Sequence, residues 1–250
     1  MGVGLLEVDL RQFLATASLA TLSQILNDNG MECIELEFLT NWWTTESLRR
    51  RSDDSRRFLL AAAEALGARA IKAAPSLEGG LLDLDLFAHE FRQLGMEASE
   101  HGTTIALEFM AFTNVPTLKA ALDLLTATDH PAVGLEIDVW HVDRCRTTMD
   151  ELSEVPLSAI MGVELGDGLH QEKGDPYRDT VDNRLLPGRG EFNLTEFITV
   201  IRGIGWDGPW GVEILSSDHR ARDLGEALAD TAATTVSVLA AAEREKGPSA

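Results

Sequence analysis

The sequence is poor in cysteine and in basic residues, and it contains no long uninterrupted apolar run. Cys33 and Cys145 lie far apart and form no C-x-x-C pair, so neither a disulfide framework nor a cysteine zinc site is predicted. Near the start, Glu7, Asp9 and Arg11 interrupt the apolar residues, and the basic region and cleavage site of a secretory signal are absent. No stretch has the apolar length of a membrane span. These absences predict a protein of the reducing cytoplasm with no membrane partner.

Basic residues are scarce relative to acidic ones. The chain has 41 Asp and Glu against 21 Lys and Arg, and its formal net charge is −20. A field of this sign repels phosphate backbones and anionic membrane surfaces, so we expect no nucleic-acid partner. The apolar fraction of 44% is sufficient for a substantial core.

Short apolar segments alternate with amphipathic segments along the chain. Strands are predicted at residues 3–8, 31–39, 68–75, 103–110, 132–141, 159–168 and 209–215, and helices over 10–29, 45–66, 84–101, 116–128, 148–154, 194–204 and 221–243. Gly30, Gly67 and Gly102 follow the first three helices, as expected for residues that end a helix in the left-handed conformation. Nearly continuous apolar strands that alternate with helices indicate parallel βαβ units.

The predicted fold class is α/β, a TIM-type (β/α) barrel with seven recognisable strands. A complete barrel of this type has eight strands, so either the barrel is incomplete or the first β-α unit is missing from this sequence. A second copy of the chain could then cover the open slot, which makes a homo-oligomer an expectation. No glycine-rich phosphate fingerprint follows the first strand, which argues against a Rossmann sheet. Because no internal segment has linker composition, residues 1–243 are predicted to form a single domain and 244–250 a flexible C-terminal tail.

An acidic residue lies inside each of the last four predicted strands: Glu108, Asp138, Glu164 and Glu213. A carboxylate among apolar strand residues costs on the order of several kcal/mol unless a positive partner neutralises it. In a (β/α) barrel the carboxyl ends of the strands converge, so one divalent metal could serve all four acids. An oxygen-only ligand set suits Mn²⁺ or Mg²⁺ better than Zn²⁺. The alternative is that some of these acids pair with core arginines or simply face water.

Three segments resemble the xylose-isomerase-like sugar phosphate isomerase/epimerase family, which includes ketose 3-epimerases and keto-inositol isomerases. They are "ALEFMAFTNVPTLKAALDLL", "EIDVWHVDR" and "DNRLLPGRGEFNLTEFITVIRGIGWDGPWGVEIL". The resemblance implies that Glu108, Asp138 and Glu213 bind a divalent metal and that Glu108 and Glu213 act as acid and base. Glu164 stands where the family usually has a histidine ligand, so here the fourth ligand would be an anion.

The same resemblance implies substrate-binding residues around the metal. His141 follows Asp138 at the family's D-x-x-H spacing, and Arg184 matches an arginine that contacts substrate oxygens. Glu37 shares the inward phase of an early strand and is a candidate substrate contact. Trp42, just past that strand, could stack on a sugar ring or pack as core. Arg189 is a candidate for neutralising Glu164.

These residues predict a divalent-metal-dependent isomerase or epimerase that acts on a sugar or a polyol-derived keto compound through an enediolate. A lyase that dehydrates a cyclic hydroxy ketone is an alternative, because the same enolate can expel a β-hydroxyl group. A metal-free binding or accessory subunit is an alternative of another class. An abasic-site endonuclease is disfavoured by the net charge of −20 and by the small number of histidines, 6 in the chain.

Overall fold

The computed structural model describes residues 1–245 and contains one sheet of seven parallel strands, which pair in sequence order from the first to the seventh. The strands are β1 (Gly2–Leu6), β2 (Cys33–Leu39), β3 (Ala70–Ala73), β4 (Thr104–Glu108), β5 (Val133–Asp138), β6 (Ile160–Leu165) and β7 (Gly211–Val212). The seven predicted strands and their α/β class are confirmed.

Helices connect the strands. They are α1 (Glu7–Leu14), α2 (Leu19–Asp28), α3 (Glu46–Leu66), α4 (Leu84–Glu100), α5 (Leu118–Thr128), α6 (Val139–Arg144), α7 (Met149–Ser153), α8 (Pro176–Asp182), α9 (Leu194–Ile204), α10 (Ser217–Arg220) and α11 (Leu224–Glu245). A short 3-10 turn spans Leu157–Ala159. No helix among residues 1–245 combines the length and apolar character required to cross a membrane.

The predicted helix over 10–29 is wrong in its extent, because the chain forms two helices there. Helix α1 ends at Leu14, and the side chain of Ser18 accepts a hydrogen bond from the backbone N–H of Thr21 at the start of α2. A serine in this position satisfies one of the unpaired donors of a helix start, so a new helix begins. Helix α3, by contrast, ends before Gly67 (φ 66°) as predicted.

The boundaries near the acidic residues also differ from the prediction. The strand predicted over 132–141 ends at Asp138, because this residue caps the start of α6 with its side chain. The stretch 168–192, predicted as a loop, contains α8, which Asp175 caps and Pro176 begins. Strand β7 stops at Val212, so Glu213 follows the strand instead of lying inside it.

The described chain divides into two compact units. The first comprises Met1–Phe109, Thr113–Glu136 and Ser158–Gly162, and the second comprises Met110–Phe112, Ile137–Leu157 and the described residues that follow Gly162. In the first unit the buried core includes Leu36, Leu59, Phe91 and Leu107, and in the second it includes Trp140, Leu152, Phe197 and Ile201. A single domain over 1–243 stays a prediction. Of the predicted tail 244–250, α11 includes the first two residues, and 246–250 lie outside the described residues.

Candidate active site

The second unit contains a buried acidic residue at the junction of β5 and α6. Asp138 is fully buried, and its Oδ1 accepts a hydrogen bond of 2.9 Å from the backbone N–H of Trp140. The carboxylate therefore has two structural roles, since it ends the strand and caps the helix that follows. This dual role fixes the direction of the second oxygen, Oδ2.

Arg184 provides the positive partner of this carboxylate. Its Nη1 lies 2.6 Å from Asp138 Oδ2, and its Nη2 lies 2.8 Å from Glu213 Oε2. The Nε of Arg184 donates to the backbone carbonyl of Thr180 at 3.2 Å, and the side chain is 1% exposed. The guanidinium group thus bridges two of the predicted metal ligands. The interpretation that some of the acids pair with a core arginine is confirmed for Asp138 and Glu213.

Glu164 joins the same group. Within the second unit, Asp138, Glu164 and Glu213 each offer a carboxylate oxygen, and these oxygens lie within 4.8 Å of one another. Glu164 is in register with Gly211 on β7, where a Cβ atom would come within 2.8 Å of the Glu164 Cγ. Glycine at this position therefore leaves room for the glutamate. Arg189, the predicted partner of Glu164, is exposed.

The electrostatics of this group fit a divalent cation. Three carboxylates and one guanidinium group carry three negative charges and one positive charge, a formal sum of −2. Oxygen donors of this kind are the preferred ligands of hard divalent ions. Asp138 Oδ2 and Glu213 Oε2 each accept from Arg184 and keep a further lone pair for a second partner.

His141 lies in the first turn of α6 and is buried. Its Nε2 is 3.9 Å from Asp138 Oδ2, and its ring centroid is 6.5 Å from that of Phe112. The D-x-x-H spacing thus brings the imidazole to the oxygen that Arg184 also contacts, because one helical turn separates the two side chains.

Glu108 belongs to the first unit, where it is buried and ends β4. Glu108 pairs in register with Glu136 on the neighbouring strand β5. Ala106, two residues before Glu108 and on the same face of β4, pairs with Lys72 on the other neighbouring strand, β3. Lys72 is buried, and its Nζ lies 3.5 Å from Glu37 Oε1. The first unit therefore has a buried cation beside one of the predicted substrate contacts.

Trp42 is a core residue of the first unit. It is 2% exposed, its indole N–H donates to the carbonyl of Ala74 at 2.8 Å, and its ring centroid lies 4.9 Å from that of Phe87 and 5.3 Å from that of Phe91. With 2% exposure, the indole ring of Trp42 has no open face on which a sugar could stack. Trp42 therefore packs in the core, and its prediction as a substrate-binding residue is wrong.

Sequence reasoning missed Trp140 and Thr180, which contact Arg184, and Asp179, which pairs with Arg144. Trp140, Asp179 and Thr180 are buried in the second unit, and the latter two lie on α8. The segment "PYRDTVD" shows no apolar periodicity, so its residues were not predicted to be buried, and Asp175 followed by Pro176 was the one available signal of a helix start. The sequence did offer one indication that Trp140 lies near the site, because it stands between the predicted site residues Asp138 and His141.

A series of parallel βα units with carboxylates at successive strand ends defines a (β/α)-barrel protein with a candidate metal site. The sequence model of one such family, described as xylose isomerase-like TIM barrel, matches residues 2–234. The chain belongs to this family.

Individual relatives are distant. A 3-dehydroshikimate dehydratase of Pseudomonas putida is 28% identical over 149 residues, which are 59% of this chain and 23% of that protein. An inosose isomerase of Halalkalibacterium halodurans is 25% identical over 149 residues, or 59% of this chain and 52% of that protein. An inosose isomerase of Bacillus velezensis is 22% identical over 237 residues, or 92% of this chain and 84% of that protein. The match thus spans about a quarter of the first relative and about half of the second.

Solved structures show the same fold. The IOLI protein, whose structure has a bound zinc atom, is similar with a TM-score of 0.85 at 20% identity, over 94% of this chain and 87% of that chain. An L-ribulose 3-epimerase has a TM-score of 0.75 at 16% identity, over 98% of this chain and 97% of that chain. At these identities the likeness shows the fold alone.

Proposed function

We propose that this protein is a divalent-metal-dependent isomerase or epimerase that acts on a sugar or on a polyol-derived hydroxy ketone. The observation that carries the proposal is the group in the second unit, where Asp138, Glu164 and Glu213 converge around Arg184 with a formal charge of −2. Family membership supports it, and so do the names of relatives, which include inosose isomerases and an L-ribulose 3-epimerase.

The proposed metal ligands are Glu108, Asp138, Glu164 and Glu213. Glu108 is included because β4 pairs with β5 and because Glu108 and Asp138 each end their strand. Mn²⁺ or Mg²⁺ is the expected ion, since all four donors are carboxylate oxygens. The zinc atom in the related IOLI structure supports a divalent ion in general. When bound, such an ion polarises the substrate carbonyl and stabilises the negative charge that proton removal creates.

The protein's own residues would move the proton. We assign Glu108 and Glu213 as the pair that removes a proton from the carbon beside the carbonyl and returns it to the enediolate. His141 would donate a hydrogen bond to a substrate oxygen, and Arg184 would contact a second oxygen. Glu37, beside Lys72 in the first unit, would contact a substrate hydroxyl.

A dehydratase is the second candidate function. It is favoured by the 28% identity to a 3-dehydroshikimate dehydratase over 149 residues. The first step would be the same proton removal, after which the enolate expels a β-hydroxyl group as water instead of regaining a proton. The glutamate that removed the proton would deliver it to the departing hydroxyl group, which leaves as water, while Arg184 or His141 would donate a hydrogen bond to that group.

The two functions separate in deuterated water. The protein supplied with Mn²⁺ is incubated in D₂O with a keto-inositol, a set of ketoses or 3-dehydroshikimate, and products are followed by NMR and mass spectrometry. An isomerase or epimerase incorporates deuterium at the carbon beside the carbonyl, and its product has not lost water. A dehydratase gives a product that is lighter than the substrate by one water molecule. Glu213→Gln is expected to abolish either reaction, and Asp182→Asn, on the exposed side of α8, is the control. If no compound exchanges or dehydrates in the presence of Mn²⁺, the enzymatic proposal is wrong.

A further inference from the structure

We infer that Asp179 and Arg144 are positioning residues for the candidate active site and that they act on Arg184 through Trp140 and Thr180. All five residues belong to the second unit. Trp140 and Arg144 lie on α6, Asp179 and Thr180 lie on α8, and Arg184, which follows α8, contacts Thr180 and Trp140. This inference deepens the proposed function, on which its kinetic part rests.

The first contact in this set joins the two helices. Asp179 is buried on α8, and its Oδ2 lies 3.0 Å from both Nε and Nη2 of Arg144, the last residue of α6. The other oxygen, Oδ1, accepts from the backbone N–H of Lys173 and from Asn183 Nδ2. Two nitrogens of one guanidinium group thus approach a single buried oxygen, and this contact fixes the position of the Arg144 side chain.

Arg144 in turn is held by groups around it. Its Nη1 donates to Asp143 Oδ1 at 2.7 Å, and its Nη2 donates to the carbonyl of Leu169 at 2.9 Å. The guanidinium carbon lies 4.1 Å from the centre of the Trp140 ring. A cation at this distance from an indole face is attracted to it, so Arg144 restrains the tilt of Trp140.

Trp140 and Thr180 carry the restraint to the acidic group. The indole N–H of Trp140 donates to Thr180 Oγ1 at 3.1 Å, and this hydroxyl donates to the carbonyl of Pro176 at 2.9 Å. The carbonyl of Thr180 accepts from Arg184 Nε, and the guanidinium carbon of Arg184 lies 5.2 Å from the Trp140 ring. The backbone N–H of Trp140 also donates to Asp138 Oδ1. Trp140 therefore contacts both members of the Asp138–Arg184 ion pair.

These contacts explain why a charged pair outside the acidic group is buried. Asp179 and Arg144 lie outside the group of proposed metal ligands, yet their side chains are only 2% and 7% exposed. Burial of a paired charge is costly, and a network of this kind fixes one arrangement of the groups it connects. The arrangement fixed here is that of Arg184, Asp138 and Glu213.

The test replaces Asp179 with asparagine, which has the same shape but lacks the charge. In Asp179→Asn, the indole ¹H–¹⁵N signal of Trp140 is expected to shift and the Nε–H of Arg184 to exchange faster with solvent. The signals are assigned with Trp140→Phe and Arg184→Lys. Mn²⁺ affinity and kcat are expected to fall by about 10- to 100-fold, with KM changed far less. Asp182→Asn removes a carboxylate from the same helix, where it pairs with exposed Arg220, and should change none of these quantities.

Arg144→Lys and Arg144→Met provide a second series if Asp179→Asn does not fold. Lysine keeps the charge of Arg144 and lacks the planar guanidinium contacts. In Arg144→Lys, the Trp140 and Arg184 signals and the Mn²⁺ affinity should therefore lie between those of wild type and those of Arg144→Met. The inference is overturned if the Trp140 and Arg184 signals and the Mn²⁺ affinity are native in Asp179→Asn or in Arg144→Met. If wild type binds no Mn²⁺, the proposed function fails, while the two NMR signals still decide whether Asp179 positions Arg184.

Discussion

Replacement of Arg184 by methionine should destabilise the protein without metal and should make Mn²⁺ a stabilising ligand. Methionine has a similar length and no charge, so the substitution leaves Asp138 and Glu213 without the guanidinium group that bridges them. The side chains of Arg184 and Asp138 are 1% and 0% exposed, so solvent cannot replace the lost partner. Removal of one partner of a buried ion pair costs about 3–5 kcal/mol.

The expected shift in melting temperature follows from this cost. In a protein of this size each kcal/mol corresponds to about 2–4 °C, so Arg184→Met should melt about 6–20 °C below wild type in the absence of metal. A ligand at a hundred times its Kd adds about 2.7 kcal/mol of stability. At one fixed Mn²⁺ concentration the variant should gain more than wild type, because the metal replaces a missing charge and therefore binds the variant with a lower Kd. Thermal unfolding followed by circular dichroism, with and without Mn²⁺, measures both effects.

Arg220→Met is the matched control. Arg220 also pairs with an aspartate, Asp182, but the two side chains are 52% and 37% exposed. An exposed pair contributes about 0–1 kcal/mol, so this variant should melt within a few degrees of wild type and respond to Mn²⁺ as wild type does. If Arg184→Met is no less stable than Arg220→Met, the guanidinium group does not neutralise the acidic group and the electrostatic account is wrong.

Three further predictions concern single residues. Glu164→His should lower Mn²⁺ affinity and raise turnover of ketoses or keto-inositols, because four anionic ligands reduce the Lewis acidity of a dication; a loss of robust wild-type activity would contradict this. Burial raises the pKa of Cys145 to about 12, so at pH 8 this thiol is protonated and should not react. In Cys33→Ser, where Cys145 is the remaining cysteine, mass spectrometry of the native protein after iodoacetamide treatment at pH 8 should show no added mass. Hydrogen bonds from the backbone and side chain of Thr148 lower the pKa of Glu151. The stability that Glu151 contributes is therefore complete above about pH 4.3 and is lost as the pH falls through the pKa of the folded state. In Glu151→Gln the free energy of unfolding should vary less with pH in this acidic range.

The alternation of strands and helices could be predicted because local signals mark it. Helix α9 (Leu194–Ile204) was predicted with its observed bounds, since Asn193 caps its start and Gly205 follows its end. Helix α8 was not, because its residues become buried only through contacts with α6, such as that between Asp179 and Arg144. Tertiary contacts of this kind leave no periodic pattern in the sequence.

The acidic residues of the candidate site could be predicted, and pairing with core arginines was one interpretation, but the sequence did not indicate which arginine pairs with Asp138 and Glu213. An acid inside an apolar strand is visible in the sequence because its burial requires compensation. The compensating group is Arg184, 46 residues from Asp138, and this pairing depends on how α8 and the following segment lie in the second unit. Arg189, the nearer match by sequence reasoning, is exposed.

Titration of the metal-free protein with Mn²⁺ by calorimetry, repeated on Asp138→Asn and on Glu108→Gln, tests the central claim most directly. The account predicts one Mn²⁺ per chain in wild type and an affinity lowered by at least about tenfold in each variant, because each loses an anionic ligand. Wild type that binds no divalent ion, or variants that bind Mn²⁺ as tightly as wild type, would contradict the assignment of these carboxylates as metal ligands.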